Sequence, residues 1–183
     1  MPVPSVDRIE GLLASGRLVP AAGDLLELGQ PLEPLRGAPL PSEASPRPAS
    51  MSAEPTVYLD SSALVKLVVH EPESGALGRY LRRRPRRMSC ALARVEVVLA
   101  VRPQGAVALT RARRVLERLS LLRLDDSLLD AAAQLDGSSL RSPDAIHLAA
   151  AQTIGVELES VVTYDIRMTA AAIGLGLRIA SPS

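Results

Sequence analysis

Residues 56–70 read TVYLDSSALVKLVVH, and this stretch decides the fold. Its first part, Thr56 to Leu59, is β-branched, aromatic and aliphatic, and it ends at a carboxylate, Asp60. Its second part opens on two serines and then spaces apolar residues for a helix. A short apolar run closed by a polar residue reads as a buried strand, and an aspartate just before a helix is a preferred cap. A second junction of the same form, VVTYD, ends at Asp165. Between and beyond these two, short apolar runs alternate with helical ones, the pattern of a parallel α/β sheet. Strands are predicted at 56–60, about 86–89, 120–124, 159–163 and 177–180, and helices at 61–69, 73–84, 91–102, 105–119, 126–136, 143–154 and 166–174. Ligands of such sheets bind beyond the carboxyl ends of the strands, where Asp60 and Asp165 fall. No G-x-G-x-x-G and no P-loop follows the first strand, which argues against a nucleotide site.

The 183 residues suit one domain plus an extension. There is no Phe or Trp and there are three tyrosines, so the core must be Leu, Val, Ala and Ile packing. One cysteine, Cys90, excludes an internal disulfide and a cysteine-rich zinc site, and it reads as a small buried hydrophobe. No long charge-free apolar run is present, so no membrane span is expected. The start, MPVPSVDRIEG, lacks the form of a signal peptide, and a cytoplasmic protein is expected.

Composition divides the chain into a leader, 1–50, and a body, 51–183. Ten of the fifteen prolines lie in the first 55 residues. The leader carries four arginines against six acids, the body 17 Lys/Arg against 14 acids, so balances of −2 and +3 suit an acidic leader lying on a basic body. Ser5 to Ser15 reads as a short amphipathic helix with Ile9, Leu12 and Leu13 as its stripe and Gly16 as its stop. A weakly apolar patch, DLLELG, follows Pro20. Residues 31–55, with seven prolines and no periodicity, cannot build a core and would span about 75 Å if extended.

Four acids stand out: Asp60, Glu96, Asp144 and Asp165. Asp60 and Asp165 have capping explanations, and Asp144 follows Pro143 at a helix start whose cap is Ser142. Glu96 has none: its helical neighbours Leu92, Ala93, Leu99 and Ala100 are all apolar. A glutamate in that stripe needs a cleft edge or a bound partner, because a carboxylate that loses water costs free energy unless paired. Four carboxylates brought together would repel, and a shared hard cation such as Mg2+ or Mn2+ is their natural partner. His147, three residues after Asp144, reads as a structural or supporting group. Ser61 and Thr163 flank the acids and would orient a carboxylate or a water molecule. The run RRRPRR, with Arg82, Arg83, Arg84, Arg86 and Arg87, is a solvated face or a phosphate-binding surface. With so few aromatics, any nucleic-acid recognition would rest on backbone charge and shape. An aspartate-nucleophile phosphatase would need D-x-D after the first strand, and here the sequence is Asp60-Ser61-Ser62.

The segments VYLDSSALVKL, ALARVEVVLA, LRSPDAIHLAAA and VVTYDIRM, in this order and spacing, resemble a PIN domain of the VapC toxin ribonuclease type over residues 56–183. The resemblance implies an α/β/α sandwich around a parallel sheet, a homodimer, and a Mg2+- or Mn2+-dependent endoribonuclease that leaves a 5′ phosphate and a 3′ hydroxyl. Asp60, Glu96, Asp144 and Asp165 would be its catalytic and metal-binding acids, with hydroxyls at Ser61 and Thr163 nearby. The leader stretch RIEGLLASGRLVPA looks like the toxin-binding tail of a VapB-type antitoxin, with no DNA-binding half. Such tails commonly bring an arginine to the acids, and Arg8, Arg17 and Arg36 are the candidates. Two functions are therefore expected to compete: a toxin ribonuclease acting on RNA, inhibited by an antitoxin or by its own leader, and a self-neutralised, catalytically silent binding module.

Overall fold

The computed structural model describes residues 8–32, 55–135 and 140–183. Its strands are β1 (Leu18–Val19), β2 (Thr56–Leu59), β3 (Arg86–Cys90), β4 (Ser120–Leu122), β5 (Leu158–Val162) and β6 (Ile179–Ala180). They form one sheet in the order β1-β4-β3-β2-β5-β6, with β2 to β6 parallel and β1 antiparallel on β4. The helices are α1 (Arg8–Ala14), α2 (Ser61–Val68), α3 (Ser74–Leu81), α4 (Ala93–Val101), α5 (Gly105–Glu117), α6 (Asp126–Ala133), α7 (Ser142–Ile154) and α8 (Ile166–Gly174). The expected α/β/α sandwich is therefore present. Helix α3 stops three residues short of the predicted end at 84, since the residue before Pro85 is disfavoured in helical conformation.

All four residues of β2 are buried, as a central parallel strand covered on both faces requires. Side chains alternate across it: Val57 and Leu59 join the layer of α2 to α5, while Tyr58 joins the layer of α6 to α8. Aliphatic and alanine contacts such as Leu64, Leu77, Val97 and Ala112 fill the first layer, and Leu148, Ala150, Ile154 and Met168 the second.

The leader departs from expectation in how far it is built into the body. Its helix is α1 within the described residues, Ser5 lying outside them, and two further elements follow. Strand β1 extends the sheet beyond β4, and Leu25–Leu28 forms a 3-10 turn capped by Asp24. Ile9, Leu12 and Leu18 pack into one core layer and Leu25 into the other, so the segment wraps the β4 edge and closes both sides. Polar contacts fasten it. Arg87 pairs with Asp24, Arg118 with Glu27, and Arg111 donates to the carbonyls of Leu28, Gly29 and Leu67. These are the acid-on-base contacts that the charge division anticipates. The proline-rich residues 33–54, with Arg36, lie outside the described residues.

Leu25→Ala should lower the unfolding free energy by about 2–5 kcal/mol, because Leu25 is buried, whereas the more exposed Leu13→Ala should change it by no more than about 0.5 kcal/mol. Urea titrations compare the two, and equal small effects would show that the leader does not contribute to the core.

Candidate acid site

The acids are positioned by the ends of parallel strands. Asp60 follows β2 and caps α2, with Oδ1 accepting from the Ala63 N–H at 3.0 Å and from Ser62 Oγ at 2.7 Å. Its Oδ2 accepts from Thr163 Oγ1 at 2.7 Å, across to the end of β5. Thr163 Oγ1 also accepts the N–H of Asp165 at 3.1 Å, so a single hydroxyl joins the two aspartates. Asp165 caps α8 through the N–H groups of Arg167 and Met168. Ser62 ties the same two junctions a second time, accepting the Tyr164 N–H at 2.8 Å.

Glu96 comes from the first turn of α4. Its Oε2 accepts from Ser61 Oγ at 2.6 Å and lies 2.7 Å from His147 Nε2. Ser61 is covalently next to Asp60, so Glu96 joins the same network. Asp144 has no hydrogen bond to the other three acids or to their bridging hydroxyls among the described residues. It lies one turn before His147 on α7, and its Oδ2 accepts from the N–H of Arg141 at 3.3 Å. Helix α7 begins at Ser142 with Arg141 at the cap position, one residue before the cap expected at Ser142.

His147 is the residue whose part the sequence understates. It is buried, and its Nδ1 lies 2.7 Å from Tyr58 Oη and 3.6 Å from Cys90 Sγ. Cys90 is thus buried, as expected, but against a polar ring. Burial alone would depress the His147 pKa. The bonds to Cys90 and Glu96 outweigh it and raise the value to about 10. Both partners lie within hydrogen-bond reach, the sulfur at the longer distance its size sets. Burial likewise pulls Glu96 upward, but donation from His147 and Ser61 leaves it below the usual glutamate value. Asp60 goes the other way: burial raises its carboxyl above the usual aspartate value, despite bonds from Ser62, Ala63 and Thr163 and the nearby His147. Among the described residues no Lys or Arg pairs with it.

Among the described residues, no three carboxylate, imidazole or thiol groups are gathered closely enough to enclose a metal ion. The donor chemistry nevertheless fits one: all four acids offer oxygen, and the most buried of them has no Lys or Arg partner among the described residues.

The predicted arginines lie elsewhere. Arg86 pairs in register with Thr56, at the amino ends of β3 and β2, so about 13 Å of strand separates the Arg82–Arg87 run from the acids. Three of its members are engaged locally. Arg84 stacks on Tyr80 and chelates Glu159, Arg86 lies 3.9 Å from Glu157, and Arg87 is buried against Asp24. Arg82 and Arg83 are exposed. Of the leader candidates, Arg17 pairs with Asp125 and holds that carboxyl below its ordinary range, while Arg8 donates to the Thr153 carbonyl. Neither meets the four acids. Arginines missed by sequence reasoning lie nearer: Arg94, Arg141 and Arg167 are exposed at the starts of α4, α7 and α8, and Arg167 pairs with Asp165 at 3.5 Å.

A parallel sheet with linked acids beyond β2 and β5, a glutamate from α4 and a further aspartate from α7 defines an α/β/α carboxylate-site domain. The sequence pattern described as PIN domain matches residues 57–174, and the chain belongs to that family. It is 54% identical over 127 residues to Ribonuclease VapC46 of Mycobacterium tuberculosis (strain ATCC 25618 / H37Rv), covering 69% of this chain and 98% of the relative. Ribonuclease VapC35 and Ribonuclease VapC47 of the same species (strain CDC 1551 / Oshkosh) are 42% and 38% identical, each over 69% of this chain and 96% of the relative. The family match begins at residue 57, so the leader precedes it. Among the described residues no helix is long and apolar enough to cross a membrane.

The raised Asp60 carboxyl has a pH signature. Its contribution to stability is present below the ordinary aspartate pKa and lost as pH rises through the higher folded value. Asp60→Asn removes that loss. In chelator, the melting temperature of Asp60→Asn relative to wild type should rise as the pH increases above the ordinary aspartate value of about 4. A difference independent of pH would contradict the assignment.

Proposed function

We propose that this chain is the toxin component of a toxin–antitoxin pair, a divalent-metal-dependent endoribonuclease that hydrolyses RNA phosphodiesters. The observation that carries the reading is Asp60: a buried carboxylate with no Lys or Arg partner among the described residues, at the carboxyl end of a central strand, joined to Asp165 by the Thr163 hydroxyl and followed by Ser61, which donates to Glu96. The ribonuclease names of relatives matched along nearly their whole length support the reaction class. Asp60, Asp144 and Asp165, with Glu96 directly or through water, would hold Mg2+ or Mn2+. When bound, such a cation supplies Lewis-acid activation of water and neutralises charge on the scissile phosphate.

The chain's own residues do the positioning. Thr163 and Ser62 fix both oxygens of Asp60, and Ser61 orients Glu96. Exposed Arg94 and Arg141 border this end of the sheet and suit RNA phosphates better than the Arg82–Arg87 run at the opposite end, while Arg167 there pairs with Asp165. In-line attack with loss of the 3′ oxygen leaves a 5′ phosphate and a 3′ hydroxyl. A homodimer belongs to the same proposal, and Val95 and Leu99, exposed on α4, offer apolar surface for it. Asp60→Asn should abolish RNA cleavage and retain a folded circular dichroism spectrum. Full cleavage by the repurified variant would sink the assignment.

A second reading concerns regulation. The leader's buried leucines and acid–arginine pairs support its acting as a built-in antitoxin tail, in the place of a separate antitoxin. With Arg8 and Arg17 paired elsewhere, Arg36 is the remaining candidate to enter the acid site and leave the domain a silent binding module. Arg36→Ala in the whole chain, and residues 51–183 alone, should then cleave RNA faster than the whole wild-type chain. Equal rates in all three would remove the inhibitory role.

A further inference from the structure

Glu96 is held asymmetrically. Two donors, Ser61 Oγ and His147 Nε2, converge on Oε2, while Oε1 carries no hydrogen bond among the described residues. His147 cannot swing away, since it is 3% exposed and its other nitrogen lies 2.7 Å from Tyr58 Oη, itself fully buried in the sheet. The ring of Tyr58 packs edge-on to the imidazole at 5.8 Å between centroids. The Glu96 carboxylate is thereby anchored through His147 to the central strand β2, with one oxygen committed to the protein and one left over.

The number of oxygens a carboxylate can offer bears on which cation it suits. Ca2+ accepts six to eight ligands and readily takes both oxygens of a glutamate, whereas Mg2+ demands a near-octahedral shell of single oxygens. We propose that His147, supported by Tyr58 and joined by Ser61, is a positioning residue that restricts Glu96 to one free oxygen and so selects a small six-coordinate cation over Ca2+. The inference rests on the metal reading of the acid site. It concerns a buried side chain outside the four acids and predicts a change in selectivity in addition to any loss of activity.

The test is calorimetric titration of the whole chain with Mn2+ and with Ca2+, no RNA being present. Wild type should bind Mn2+ more tightly than Ca2+, and Asp60→Asn should bind neither. His147→Leu removes the donor and should narrow the Mn2+ over Ca2+ preference about tenfold or more, the scale expected when a partner of a metal ligand is lost. Should His147→Leu fail to fold, Ser61→Ala removes the other donor at a half-buried position and should narrow the preference in the same direction. His147→Gln keeps an N–H near the Nε2 position and should restore most of the wild-type preference, which a purely structural role for the ring would not produce. If wild type takes up no Mn2+, the metal reading fails and the inference with it. If wild type binds Mn2+ and Asp60→Asn does not, but His147→Leu and Ser61→Ala leave the preference unchanged, the metal reading stands and the inference is overturned.

Discussion

The burial of one charge organises this protein. Asp60 sits at the end of the central strand, nearly out of solvent, and an unpaired carboxylate in that position costs several kcal/mol. Three donors offset part of that cost: the Ala63 N–H at the positive end of α2, the Ser62 hydroxyl and the Thr163 hydroxyl. Each comes from a different structural need. Ala63 belongs to the start of a helix, Ser62 also steadies the chain leaving β5, and Thr163 also receives the Asp165 amide. The residual cost is visible in the raised Asp60 carboxyl, and it makes the junction of β2 and β5 a place where added positive charge is favourable.

A second set of contacts ties that junction to the helices. From Tyr58 in the sheet, polar contacts pass to His147 on α7 and on to Glu96 on α4, where Ser61 on α2 joins them. Three helices and the central strand thus meet in one chain of hydrogen bonds, in a protein whose core is mostly aliphatic. A satisfied buried network of this kind specifies one arrangement of its elements, because each member has few alternative partners. The imidazole earns its place by offering two nitrogens on opposite sides of a flat ring, which lets it bridge a sheet residue and a helix residue.

Much of this was legible in the residues because it is local. A strand ending in aspartate and serine is readable from four or five neighbours, and so are the caps at Asp60 and Asp165. Glu96 betrayed itself by interrupting an apolar stripe. The rest depends on contacts distant in sequence. Tyr58 and His147 are 89 residues apart, and nothing near either reveals the other. The basic run misled for a similar reason: cationic density is visible in a sequence, but which end of a parallel sheet it occupies is not. Its neighbour Tyr80, with Glu159 and Asp24, absorbs two of its charges, Arg84 and Arg87. The leader hid its structure because its apolar residues are few and its one helix is short, so its order comes from packing on the body rather than from local propensity.

That packing also explains how a short segment stays docked. Exposed ion pairs such as Arg118 with Glu27 contribute little individually, about 0–1 kcal/mol, and four buried apolar side chains form a small interface. For two separate chains that would be weak. For a segment on the same chain, docking is intramolecular, and covalent linkage gives an effective concentration far above that of a separate partner. The geometry separates this anchoring from the acids. Strands β4 and β3 lie between β1 and β2, so the leader is held at the sheet edge by contacts that leave Asp60 and Glu96 untouched. Docking of the leader and the chemistry of the acid site are therefore separable free energies, and a substitution at Leu25 addresses the first without touching the second.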